Sequence, residues 1–297
     1  MAGDANYANV KLLLHGNGVN GSTTFIDNSP VTRTVTAYGN AQISTAQSKF
    51  GGASMLFDGS GDYLSVPDSA DWDFGTGDFT VELWVRFTSH ASVMTLVCNY
   101  LNSSVGWSLQ RRNDANTIRF GNGDGALLDV LWTPTDGVWY HLAISRNGTA
   151  LRAFVDGTQV GSTVTNSTNI TGSTNPLLVG ALFFGSYLQF FAGHLEDLRI
   201  TKGAARYTAD FTAPTRAHPD GLGEIEGVVR DDTNTPCGRT VRAYRRDTGA
   251  LVGSTVSDAT LGTYRIGCPT LDEVYRVVLD DSGGTLYNDL IDRVVPA

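Results

Sequence analysis

Thr80-Val81-Glu82-Leu83-Trp84-Val85-Arg86-Phe87 decides the fold class. Val81, Leu83, Val85 and Phe87 fall on one side of an extended chain and Glu82, Trp84 and Arg86 on the other, the two-residue period of a strand buried on one face. Glu82 and Arg86 are accordingly expected on a solvated face, where charged side chains keep their hydration. Downstream, Trp139 to Arg146 puts Tyr140, Leu142 and Ile144 together, and Leu151 to Val155 runs into Asp156-Gly157, a pair suited to the positive φ angles of a type I′ hairpin turn. No window of similar length combines a 3.6-residue apolar period with a cap and a stop, so an all-β chain is expected. Glycine fits that reading: 34 of 297 residues exceeds the usual share of about 7% and suits a turn-rich protein.

The length allows one large or two modest domains at roughly 150 residues each. Pro214 to Gly223 carries two prolines and two glycines, has no period, and reads as a connection. The expected division is residues 1–216, a linker at 217–222, and a small β-sandwich over 223–297, where short strands restart. Thirty acidic against 21 basic residues leave a net charge of −9, which argues against nucleic acid and anionic membranes, since both reward basic clusters. No apolar run approaches the ~20 residues needed to span a bilayer. Met1-Ala2-Gly3-Asp4 lacks the basic and apolar regions of a signal peptide, so synthesis in a cytoplasm is expected.

Phe57-Asp58-Gly59-Ser60-Gly61-Asp62-Tyr63-Leu64-Ser65-Val66-Pro67, continuing through Asp71-Trp72-Asp73-Phe74 to Val85, resembles the laminin G-like, concanavalin A-like lectin/glucanase family. Trp139-Tyr140-His141-Leu142-Ala143, Phe154-Val155-Asp156-Gly157 and the closing stretch Gly193 to Tyr207 are similar to that family's later strands. The resemblance covers most of residues 8–215 and implies an antiparallel jelly-roll sandwich; its closing segment resembles the variant in tailed-bacteriophage structural proteins. Residues 223–297 are similar to prealbumin-like or carboxypeptidase-regulatory-like small sandwiches through Gly227-Val228-Val229, Arg239 to Tyr244 and Gly262-Thr263-Tyr264. Together these resemblances imply a non-enzymatic virion protein, a decoration, tail or fibre component present in many copies. It would contact capsid or tail proteins and display a lectin-like domain to host or environmental glycans. A polysaccharide-cleaving enzyme of the same fold and a purely architectural virion protein are the alternatives.

Gly16-Asn17-Gly18-Val19-Asn20-Gly21 has the spacing of a dinucleotide loop, but Ser22-Thr23-Thr24-Phe25 supplies no helix start for a pyrophosphate. No strand carries the clustered carboxylates of a retaining glucanase, and Glu196-Asp197 are adjacent, which points them to opposite faces of a strand. The resemblance implies calcium at the rim, for which Asp27 and either Glu196 or Asp197 are the matching oxygen ligands. Asp58, Asp62, Asp71, Asp73 and Asp78 are expected to serve turns. For sugar or protein contact the stretch Phe183-Phe184-Gly185-Ser186-Tyr187-Leu188-Gln189-Phe190-Phe191 stands out. Phe183, Phe184 and Tyr187 cannot all be buried around Gly185, so an exposed aromatic patch is expected there. Trp107 and Trp132 are further aromatic candidates with a stronger expectation of core burial. Cys98 reads as a small buried hydrophobe, and a Cys237–Cys268 disulfide stays open.

Overall fold

The computed structural model describes residues 4–102, 105–122, 125–221, 223–231, 233–245, 248–268, 275–280 and 290–294. The chain forms two compact units, Asn9–Ala217 and, separately, His218–Ala297 with Met1–Ala8. The first eight residues therefore group with the C-terminal unit, where the Asp4 amide donates to the Gly221 carbonyl.

Unit Asn9–Ala217 is built from β1 (Val10–Leu14), β2 (Phe25–Ile26), β3 (Thr34–Tyr38), β4 (Gln42–Ser44), β5 (Ser54–Asp58), β6 (Tyr63–Val66), β7 (Phe79–Phe87), β8 (Met94–Asn102) and β9 (Val105–Arg112). It continues with β10 (Thr117–Asn122), β11 (Gly125–Leu131), β12 (Trp139–Asn147), β13 (Ala150–Val155), β14 (Thr158–Thr165), β15 (Leu177–Val179), β16 (Leu182–Phe183), β17 (Tyr187–Leu188) and β18 (Ala192–Lys202). One sheet runs β14-β13-β12-β7-β18-β5-β4, with β1 paired to β18; the other runs β11-β10-β9-β8-β15-β6-β3-β2. The pairings within both sheets are antiparallel, which connects successive strands through tight turns. At the β13–β14 turn Asp156 and Gly157 have φ of 49° and 83°, the positive pair of a type I′ hairpin. A Cβ on Gly157 would stand 2.0 Å from the Phe211 carbonyl oxygen, so glycine here also admits the chain that crosses the hairpin.

The core lies between the sheets. Val81, Leu83, Val85 and Phe87 of β7 meet Trp107, Leu109, Ile118 and Phe120 of β9 and β10 there, all buried. Trp107 also donates its indole N–H to the Trp72 carbonyl at 2.8 Å, satisfying its polar edge. Trp132 is half-buried and packs on Phe87 and Tyr140.

The other face of β7 differs from the sequence expectation. Glu82 is fully buried rather than solvated, because the segment after β18 folds back over it. Its carboxylate accepts from Arg199 at 2.7 and 2.9 Å and from the Tyr207 hydroxyl at 2.7 Å, and lies 3.2 Å from His141 Nε2. Arg206 Nε stands 3.8 Å away, while Tyr207 stacks on Phe211 at 3.6 Å and seals the site with Phe154. Arg86 stays half-buried and donates to the Gly137 carbonyl. Trp84 is covered by Phe50 edge-on and by the Lys49 ammonium 4.0 Å from its ring. Beneath that turn Glu196 accepts the backbone N–H groups of Lys49 and Phe50. Burial pushes the Glu196 carboxyl up to about 7, those two hydrogen bonds pull it down, and Asp197 beside it adds to the rise.

The C-terminal unit contains β19 (Gly223–Val228), β20 (Thr240–Arg245), β21 (Leu251–Val256), β22 (Thr263–Cys268), β23 (Tyr275–Asp280) and β24 (Leu290–Val294). β19 pairs with β22, and the second sheet runs β21-β20-β23-β24. Ile225, Val229, Val241, Ala243, Ile266 and Cys268 form its described core. Cys268 lies opposite Gly223, whereas the Cys237 amide bonds to Val229, six residues further along the chain. That is about 20 Å at the rise of a strand, beyond the reach of a disulfide, and both thiols are free.

Two stability effects follow from the buried carboxylates. Glu82→Gln leaves Arg199 buried without its countercharge and is expected to cost about 3–5 kcal/mol in denaturant unfolding, against about 1–2 for Tyr207→Phe. For Glu196, the folded value near 7 lies above the ordinary 4.5, so the native state holds the extra proton between these pH values. The group's contribution is therefore most favourable below about pH 4.5 and is lost as pH rises toward 7. Glu196→Gln removes this dependence, and its melting temperature should gain on the parent's progressively across that window.

Candidate functional site

Residues 180–191 place a short hairpin, β16 and β17, on the outer face of the second sheet. Ala181 and Leu182 pack with Tyr63, Cys98 and Leu178 in an apolar cluster separate from the main core. The Cys98 thiol donates to the Ala181 carbonyl, and burial pushes it up to about 12, which leaves it an unreactive packing group. At the hairpin tip Gly185 takes φ 71°. At its base Gln189, a non-glycine residue at φ 54°, is held three ways: its carbonyl accepts the Thr95 amide, and its Oε1 accepts Thr95 Oγ1 and Gln110 Nε2, each at 2.9 Å.

Between this hairpin and the sheet lies a cleft of about 260 Å³. Its floor is the polar phase of β9 and β10, namely Ser108, Gln110, Arg112 and Arg119, whose alternate neighbours Trp107, Leu109, Ile118 and Phe120 form the core. Its wall is Leu182, Phe184, Leu188 and Gln189. Arg112 is bound through two nitrogens by Asp114, and Arg119 through two by Asp129. The Arg112 guanidinium holds the Asp114 carboxyl below its usual range. An apolar wall over amides, a hydroxyl and guanidiniums can hold a polyhydroxylated ring, with C–H groups against the aromatic and hydroxyls on the polar floor.

Of the aromatic residues singled out in sequence, Phe184 is 54% exposed and lines the cleft. Tyr187, 44% exposed, faces the hairpin's other flank, stacked at 4.3 Å on Tyr63, which itself stacks on Tyr38 at 4.6 Å. Phe183 is half-buried against Tyr187. Phe191 is fully buried in the main core. Gln110, Arg112, Arg119 and Gln189 were not singled out in sequence, although the alternation of Ser108 and Gln110 with Trp107 and Leu109 marks a polar face on β9.

The three carboxylates matched to calcium do not fit that ion as arranged. Both Asp27 oxygens are taken: Oδ1 by the Leu13 and Ser29 amides, Oδ2 by the Ser29 hydroxyl and the Arg33 amide, with the Arg33 guanidinium 3.9 Å away. Glu196 is engaged by the 49–50 turn, and Asp197 Oδ1 meets His15 Nδ1 at 2.6 Å. Among the described residues their ligand atoms do not all lie within 4.8 Å of one another. Asp27 instead ties the 27–33 loop to β1. Asp58, Asp62, Asp73 and Asp78 accept backbone amides of turns as expected, and Asp71 pairs with Arg33.

The fold is shared with sugar-binding and toxin domains. Domain 4 of AbnA, an extracellular arabinanase from Geobacillus stearothermophilus in complex with arabinotriose, matches at TM-score 0.51 and 19% identity, over 66% of this chain and 95% of that one. The binding domain of Paraclostridial Mosquitocidal Protein 1 matches at 0.50 and 14%, over 96% and 76%. The binding domain of botulinum neurotoxin serotype C1 matches at 0.50 and 12%, over 93% and 72%. No curated protein sequence matches the chain. The family model that does match spans residues 58–206, just over half of the 297 residues, and by it the protein belongs to the concanavalin A-like lectin/glucanases superfamily.

Proposed function

We propose that this protein is a non-catalytic glycan-binding structural component of a tailed-bacteriophage particle, with the cleft under the β16–β17 hairpin as its sugar site. The observation that carries the binding role is the exposed Phe184 ring above a floor of Gln110, Ser108 and paired arginines. Arabinotriose bound to a domain of this fold supports a sugar as the occupant. The virion context rests on the resemblance of Gly193 to Tyr207, and the C-terminal unit is read as a prealbumin-like mounting domain for capsid or tail neighbours. Binding without cleavage is supported by the cleft lining, which among the described residues carries no carboxylate where hydrolysis needs two. Glu82 and Glu196 project from the other sheet and are engaged by protein donors.

Immobilised neutral and acidic polysaccharides tested by biolayer interferometry should show saturable binding to at least one, with no reducing ends released. Phe184→Ala should weaken that binding by about tenfold or more while leaving the melting temperature nearly unchanged, because a ring already half in water contributes little to folding. Chelator should leave binding intact, since among the described residues the cleft's polar side chains are amides, hydroxyls and guanidiniums, none of them a hard anionic ligand. Absence of binding to every polysaccharide, with normal incorporation into particles, would establish the architectural alternative.

A further inference from the structure

We infer that the cleft selects a neutral sugar bearing two adjacent hydroxyl groups, and that Gln110 and Gln189 are the residues that select it. This deepens the glycan-binding reading and rests on it. The two side chains meet head to head: Gln110 Nε2 donates to Gln189 Oε1 at 2.9 Å, and Thr95 Oγ1 donates to the same oxygen at 2.9 Å. One end of each amide is consumed in that contact, and the two consumed ends have opposite polarity. The remaining ends must then also have opposite polarity, a pair of N–H donors on Gln189 and a carbonyl acceptor on Gln110. Reversing both amides exchanges the two roles and leaves the same complementary pair, so the conclusion does not depend on which way either amide is turned. Both residues line the cleft, and among the described residues neither free end has a protein partner.

A donor beside an acceptor on a rigid base matches two neighbouring hydroxyls, each of which can both give and accept a hydrogen bond. The base is rigid because Thr95 and the Gln189 backbone hold the contact in place, so its hydrogen bonds need little further ordering when a sugar arrives. Charge decides between neutral and acidic sugars. Arg112 and Arg119 bring two positive charges to the floor, but Asp114 and Asp129 each occupy one guanidinium through two nitrogens. A uronate entering the cleft would meet two guanidiniums whose charge these carboxylates already balance, in a protein of net charge −9, and so gains little from its own charge.

The test uses the full-length protein against immobilised galactomannan, mixed-linkage β-glucan and arabinan as neutral probes, and polygalacturonate and alginate as acidic ones. Each is presented before and after periodate, which cleaves the bond between adjacent hydroxyl-bearing carbons. The expected result is binding to at least one neutral probe, loss of about tenfold or more after periodate, and weaker binding to both acidic probes. Gln189→Glu keeps an oxygen for Thr95 and Gln110 but makes both outward ends acceptors, so it should lose the neutral probe by a similar factor with an unchanged melting temperature. Neutral binding that survives periodate, a uronate bound as tightly, or a folded Gln189→Glu variant that binds like the parent overturns the inference while leaving the lectin reading standing. No binding to any of the five probes, by parent protein that is folded, overturns both.

Discussion

The buried Glu82 carboxylate holds together what a simple two-sheet sandwich would leave open. A charge on the middle of a central strand would ordinarily face water, and its removal from water is tolerated only with full compensation by charge and hydrogen bonds. Arg199, from the neighbouring strand, supplies the charge, and Tyr207, from the segment beyond it, supplies a hydroxyl. The polypeptide after β18 must therefore cross back over the first sheet. That crossing sets Tyr207 and Phe211 against Phe154 and explains why the β13–β14 turn needs a glycine under Phe211.

With the outer face of one sheet closed in this way, the outer face of the other carries the cleft. There a second short excursion of chain, the β16–β17 hairpin, covers part of the sheet, but it is fastened at its base and leaves its tip in solvent. The contrast is physical. The first cover is held by a charged network and stacked rings, which bury the carboxylate beneath them. The second is held by an apolar cluster below Leu182 and by the Gln189 amide, and it leaves a polar floor accessible beside an aromatic edge.

The acidic residues separate along similar lines. Asp27, Glu196 and Asp197 resemble rim ligands in sequence, yet each is engaged by donors from a different loop, so they act as fasteners for the 27–33 loop, the 46–52 turn and His15. A carboxylate that meets several backbone N–H groups gains the compensation that a cation would otherwise provide. The same atoms cannot serve both purposes without rearrangement.

Local chemistry made much of the fold legible. The two-residue period of β7, the Asp156-Gly157 turn and the density of glycine each follow from backbone sterics and side-chain alternation, so they could be read along the chain without knowing any long-range contact. The exposed aromatic tip at Phe184 was legible for the same reason, since a glycine-centred turn has too few inward positions for its neighbours. What alternation cannot say is what covers the second face of a strand. Glu82 is paired with residues 117 and 125 positions away, and Gln110 with one 79 positions away. Those partners are adjacent only because the sheets close and the chain returns, so the burial of Glu82, the engagement of Asp27 and the meeting of the polar β9 face with the hairpin were decided by tertiary structure.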